Sequence, residues 1–339
     1  MTGSTLPSSS PDGQPGAAAP EALGRAGALV TPAIDEAVRR LGPELRLPAQ
    51  HHLQGGGKRV RAALVLLSAA AVGADERVGV VGAVAIELVH NYSLIHDDII
   101  DEDRERRHRP TTWVEFGIGS AIVAGDALST LALQVLLEDA TAERVGATVS
   151  LAAATQAMIA GQAEDMAFES RPSVTVEECI RMEEGKTGAL LSCAASLGAI
   201  LAGAPARTVQ ALADFGSHLG TAFQAVDDML GIWGDPAVTG KPVGSDLLRR
   251  KKTLPLATAL ARDDEVAVDL RELLAGELDE AAVLRAATLL DRSGVRDEMR
   301  TFADEHLRKA AEALDRVPLR PGPKAELLGI AHYVAARDR

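Results

Sequence analysis

The chain has 339 residues, of which 47% are hydrophobic but only 3% aromatic, a mixture that favours an Ala/Leu/Val core of close-packed helices. A net charge of −13 argues against nucleic-acid binding. Two cysteines, Cys179 and Cys193, are too few for a disulfide framework and are expected as buried thiols. No uncharged apolar run reaches the roughly 18 residues of a membrane span, and no basic-then-apolar leader opens the chain, so a soluble, cytoplasmic protein is expected.

Residues 1–20 are dense in Ser, Pro, Gly and Ala and cannot bury enough apolar surface to order themselves, so they are expected as a disordered tail, with docking to a partner as the alternative role. No Pro/Gly/Ser-rich break follows residue 55, and 21–339 is expected as one domain. A helix is predicted from Glu21 to Leu41, with Pro32 at a first turn or a helix junction. His51-His52 suit no metal cage and are expected at the surface. Gly55-Gly56-Gly57 then precede Lys58, Arg59 and Arg61 and an Ala/Leu helix to about Val72. Glycines before a helix let N–H groups approach an anion, and Lys58 and Arg61 share a face. The alternative is a flexible loop with a solvated basic helix start.

Val78 to Ile95 has the spacing of a buried helix, and if it continues, Asp97 and Asp101 stand one turn apart with Asp98 beside them. Three such carboxylates are either a solvated patch or a site for a hard cation, with Mg²⁺ the natural choice for oxygen ligands. Arg106 and Arg107 follow by one loop length. Gly125-Asp126 is predicted to interrupt an apolar helix running to about Leu137. A longer helix, about Glu143 to Phe168, carries Gln162 and Asp165. A short helix, Val174 to Glu183, is broken by Gly185-Lys186-Thr187-Gly188 before the helix Ala189 to Leu201. That break is either a kink with freed carbonyls or a simple turn. The longest apolar helix, Thr208 to about Leu230, ends in Gln224, Asp227 and Asp228. Ser245 or Asp246 is predicted to cap a helix bearing Arg249 to Lys252. Strand alternation is absent, and the fold class is all-α.

Together these residues resemble the trans-isoprenyl diphosphate synthases, the polyprenyl synthetase family, over about residues 40–335. The carriers are Gly56-Gly57-Lys58-Arg59, Asp97 to Asp101, Arg106-Arg107, Gly125-Asp126, Gly161-Gln162, Lys186-Thr187, Phe223-Gln224 with Asp227-Asp228, and Gly240-Lys241 through Lys251 to Pro255, in family order. The second half is most similar to bacterial geranylgeranyl diphosphate synthases. The resemblance implies a helical bundle around one deep cavity, usually a homodimer, that condenses an allylic diphosphate with isopentenyl diphosphate. It implies Mg²⁺, three ions, held by Asp97, Asp101 and Asp227, with Asp98 and Asp228 in support and Asp165 acting through water. Arg106, Lys186 and Lys241 would hold the allylic diphosphate, and Lys251 would also bind substrate. Lys58, Arg61, His90 and Arg107 would hold isopentenyl diphosphate, and Gln224 with the Lys186–Thr187 carbonyls would face the allylic cation.

Product length is expected from the residues before Asp97: bulky Tyr92, small Ser93, then Val89 and Leu88. Bulk at Tyr92 alone is similar to the twenty-carbon pattern, which gives geranylgeranyl diphosphate with Tyr92 as floor. Two departures stand out. Gly231 occupies a position where the family has Asp, leaving open whether Asp235 compensates, and His108 replaces a frequent Gly. The rivals are a farnesyl diphosphate synthase, a class I terpene cyclase, which needs no second diphosphate site, and a non-catalytic subunit of a prenyl synthase complex.

Overall fold

A computed structural model describes residues 15–235 and 243–335. Helices account for nearly all of the regular structure, as expected from the Ala/Leu pattern. The first three are α1 (Pro15–Val38), α2 (Pro43–Leu53) and α3 (Val60–Ala71). A short 3₁₀ turn leads into α4 (Val80–Ile100), and a two-residue ladder pairs β1 (Glu105–Arg106) with β2 (Arg109–Pro110). Then come α5 (Thr112–Phe116), α6 (Ile118–Leu137), α7 (Ala142–Glu169) and α8 (Val176–Glu183). A π-helical turn, Glu184–Gly188, joins α8 to α9 (Ala189–Leu201), and α10 (Ala206–Trp233) follows. The chain closes with α11 (Ser245–Leu248), α12 (Leu254–Leu260), α13 (Glu265–Ala275), α14 (Glu280–Arg292), α15 (Val295–Asp315) and α16 (Pro321–Ala335).

Two apolar cores share α10. The larger gathers α1, α3, α4, α6, α7 and α9 around small buried side chains such as Ala62, Ala85 and Ala194. The smaller packs the C-terminal half of α10, through Ala222, Val226 and Met229, against α12, α14 and α15. Small core residues let helix axes approach closely.

Four local expectations are corrected. Helix α1 begins at Pro15, so the expected boundary at residue 20 falls inside it, with Ala19 buried; residues 1–14 lie outside the described residues. Pro32 lies within α1 rather than at a junction. Gly125 does not interrupt α6; a Cβ there would stand 2.3 Å from Nε2 of His96, so the glycine admits the α4 imidazole. The helix begun at Ser245 ends at Leu248, and Arg249 and Arg250 turn outward, Arg250 in the left-handed region (φ 56°).

Candidate active site

A cavity of about 760 Å³ opens at the end of the bundle where α4 and α10 bring their acidic motifs. Asp97 and Asp227 both line it. Asp97 and Asp101 are one turn apart at the end of α4, and Asp101 lies 3.4 Å from Lys251 Nζ. Burial pushes the Asp97 carboxyl above the usual carboxylate range, Asp101 adding to the effect and Lys186 opposing it.

The second aspartate of each motif ties down a loop, Asp98 from outside the cavity lining and Asp228 from within it. Asp98 is fully buried and accepts from Arg106 Nε at 2.6 Å, its Oδ2 unpartnered. Its carboxyl is pushed up to about 6 by burial, against the pull of Arg106. That bond draws the β1–β2 hairpin under α4. The hairpin turn places Arg107 and His108 at φ 53° and 60°, a left-handed pair that suits a two-residue loop but favours glycine. Arg107 thereby reaches the glycine loop, donating to Gly55 O at 3.4 Å.

Asp228 is likewise saturated. It accepts from Gln224 Nε2 and the Leu254 N–H, each at 2.9 Å, and lies hydrogen-bonded against Glu183. Burial pushes Asp228 up to about 7 and Glu183 well above the carboxylate range. Gln224 accepts from Thr187 Oγ1 at 2.9 Å, so its amide is pinned between the π-turn and α10. Cys179, buried and free, donates to Lys252 O at 3.1 Å beneath the segment that brings Lys251 and Lys252 to the cavity.

The π-turn answers the question left by Gly185-Lys186-Thr187-Gly188: the chain passes from α8 into α9 without leaving the helix. It lies so close to α7 that a Cβ on Gly161 would stand 2.3 Å from the Lys186 N. Lys186 thereby pairs with Asp165. Burial alone would lower its ammonium, but Asp165 and Asp97 hold it above its ordinary value.

At the other end of the cavity stand Lys58, Arg61, His90 and Arg107. Arg61 makes no ion pair among the described residues; it donates to His90 Nε2 at 3.2 Å and its Nε is buried without a partner. Burial, with Arg61 next, drives the His90 imidazole well below its ordinary value, so it accepts in its neutral form. Beside them Arg59, left-handed at φ 55°, pairs at 2.8 Å with buried Glu87 and ties the glycine loop to α4. Lys58 lies over the Tyr333 ring, 5.3 Å from its centre, bringing the last helix to this end. His52 is not a simple surface residue: burial, then Arg106, pushes its imidazole down to about 3.

Not every expected residue reaches the cavity. Ser93 lines it, but Tyr92 does not; its ring meets His96 edge-on at 5.0 Å. Leu88 and Val89 are fully buried in the core. Lys241 lies outside the described residues. The sequence reading missed Glu183 and Glu87, and named Arg59 without giving it a role. Glu87 had a visible signal, a lone carboxylate in an apolar helix that demands a cation.

Mg²⁺ fits this donor set. The cavity-facing carboxylates supply hard oxygen ligands, and the two cysteines are engaged elsewhere or remote. Among the described residues no three candidate ligands converge on one point. A cation held here needs ligand phosphates to complete its shell, the usual arrangement for Mg²⁺.

Fold and cavity define the class: an all-α isoprenoid-synthase bundle with acidic and basic clusters around one deep pocket. The polyprenyl synthetase family model matches residues 42–290, and the chain belongs to that family. It is 43% identical over 335 residues to the (2E,6E)-farnesyl diphosphate synthase of Mycobacterium tuberculosis (strain ATCC 25618 / H37Rv), covering 93% of this chain and 92% of that one. It is 39% identical to that strain's geranylgeranyl diphosphate synthase, covering 93% of each. The crystal structure of a polyprenyl synthetase from Streptomyces coelicolor A3(2) superposes with a TM-score of 0.89 at 45% identity, over 93% of this chain and 99% of that one. The chain is a prenyltransferase of the short-chain isoprenyl diphosphate synthase type.

Proposed function

We propose that the enzyme joins isopentenyl diphosphate head-to-tail to an allylic diphosphate and releases mainly geranylgeranyl diphosphate. The observation that carries two-substrate condensation is Arg61: a cavity-lining guanidinium with no carboxylate ion pair among the described residues and its Nε unpartnered. It marks a second anion site, which a terpene cyclase does not need. Lys58, His90 and Arg107 complete it, with Arg suited to bidentate phosphate contact.

Asp97, Asp101 and Asp227 would hold Mg²⁺, and the bound metal supplies the positive charge that stabilises the departing diphosphate. Lys186, Lys251 and the outer nitrogens of Arg106 add charge from the protein, with Lys241 assigned to the same group. Gln224, held by Thr187 and Asp228, and the π-turn carbonyls present oxygen dipoles to the allylic cation. Met158, Leu190, Leu219 and Phe223 give it a dry wall. Holding the alkene of isopentenyl diphosphate against carbon 1 removes most of the entropic barrier, and the proton then lost goes to the released diphosphate. A cytoplasmic homodimer is part of the same proposal.

Support for twenty carbons comes from Ser93, whose small side chain faces the cavity and leaves the α4 wall open. A farnesyl product is the second reading, favoured by the name of the 43% identical relative. Chromatography of dephosphorylated products from dimethylallyl, geranyl and farnesyl starters decides between them. Ser93→Phe should shorten the product to farnesyl diphosphate or less. A product already fixed at fifteen carbons in the parent, and unmoved by Ser93→Phe, rejects the twenty-carbon assignment.

A further inference from the structure

Position 231 lies one turn after Asp227 on α10, on the same face. It is a glycine, and the space that its side chain would fill is taken. A Cβ built there would stand 1.9 Å from Oδ2 of Asp246 and 2.6 Å from its Cγ. Asp246 comes from another element, the first turn of α11, reached through left-handed Gly244 at φ 71°. Its carboxylate lines the cavity together with Asp227 and Asp228. The Lys251 N–H donates to the Asp246 carbonyl at 2.9 Å, so one turn delivers the carboxylate and a neighbouring ammonium together. A second feature marks this wall for a ligand: Glu183 is 4% exposed, borders the same cavity and keeps an unpartnered Oε2. Asp235, the other candidate, is exposed and does not line the cavity.

We propose that Asp246 supplies the third carboxylate of the second acidic motif, from the segment after α10, and that Gly231 is glycine to admit it. The carboxylate acts on the metal held by Asp227, as a ligand or through a bound water. The inference rests on the Mg²⁺–diphosphate reading of the cavity.

The test is calorimetric titration of the full chain with geranyl thiodiphosphate, an allylic diphosphate analogue that resists ionisation, in Mg²⁺ and again in EDTA. Asp246→Asn should weaken Mg²⁺-dependent binding by about ten- to a hundredfold while leaving the EDTA titration unchanged. Gly231→Ala, which drives the carboxylate from its place, should act in the same direction. The double variant Gly231→Asp/Asp246→Ala should regain most of what Asp246→Ala loses, because the shortened residue 246 vacates the space and a carboxylate returns to it from α10. Asp235→Asn should bind as the parent does. Should Asp246→Asn fail to fold, Gly231→Ala and the double variant carry the decision. Binding by Asp246→Asn within about twofold of the parent overturns the proposal, as does a double variant no better than Asp246→Ala alone. If the parent itself binds without Mg²⁺ dependence, the metal reading falls and this inference with it.

Discussion

Buried ionisable side chains show most directly how this sequence combines charge with an apolar core. Glu87 and Arg59 neutralise each other at 2.8 Å, and either alone would be a costly orphan. His52 and His306 are instead held as half-buried neutral rings. His306, on α15, stacks on Phe302 with centroids 4.5 Å apart and meets His218 of α10 edge-on at 5.2 Å, its Nδ1 unpartnered. Burial first, then His218 and Lys309, pushes its imidazole down to about 4, with only Glu305 opposing. An unfolded histidine titrates near 6.5. Between these values the unfolded chain binds the extra proton, so the stabilisation is complete above about pH 6.5 and is lost as the pH falls towards 4. His52, pushed down to about 3, adds to the same trend at lower pH. The measurement is melting temperature against pH for the parent and His306→Phe. The variant should keep the parent's melting point at pH 7.5 and lose less of it by pH 4.5. Parallel curves would show that this ring does not set the acid limb.

Helix identity was legible in the sequence because the 3.6-residue apolar period runs long in α4, α7, α9 and α10. The acidic and basic motifs were legible through their resemblance to a family, which gave their order. What was not legible is which neighbour a small residue serves. Gly125 looked like a helix breaker but makes room for His96, and Gly185-Lys186-Thr187-Gly188 looked like a turn or kink but forms a π-turn inside a continuous helix. Glycine carries no sign of the partner that approaches it, so close contacts between distant elements stay hidden in a single sequence. Tyr92 failed differently: periodicity placed it beside Ser93, but a fraction of a turn decides which of the two faces the cavity. The π-turn gives an element-scale prediction. Gly161→Ala sets a methyl 2.3 Å from the Lys186 N and 2.8 Å from the Gly185 C, backbone atoms that cannot swing aside. The helices must part, at a cost of about 1–3 kcal/mol for overpacking, and Lys186 shifts from its place in the cavity wall. Urea unfolding should show that loss, and turnover should fall further than stability alone explains. Parent-like turnover in Gly161→Ala would mean that the α7 contact does not position Lys186.

For the whole molecule the open question is what covers α6 and α7. By length and composition two segments qualify as membrane spans, Glu76–Ile100 and Ile118–Leu137, with windows 67% and 44% buried inside the protein. The first is thus a core helix that ends in the acidic motif. The second leaves an apolar face outside. Ile118 and Ile122, one turn apart, and Val123 are exposed on α6, and neighbouring α7 exposes Val145, Val149, Ile159 and Met166. Exposed apolar patches of this kind mark contact surfaces. Asp126 stands exposed on the same α6 helix, and a carboxylate there suits a protein interface better than lipid. A second copy of the chain satisfies both requirements, because a two-fold axis presents the same face from each side and pairs its apolar stripes. The pair Ile122→Glu/Val149→Glu puts like charges into that contact without touching any side chain that lines the cavity. Sedimentation velocity should show the parent as a dimer and the double variant shifted to monomer, with geranyl thiodiphosphate binding retained. A parent that sediments as a monomer across the concentration range, or a double variant that remains dimeric, would place the interface elsewhere. Co-flotation of the parent with neutral phospholipid vesicles, abolished in the double variant, would instead assign this face to a membrane surface.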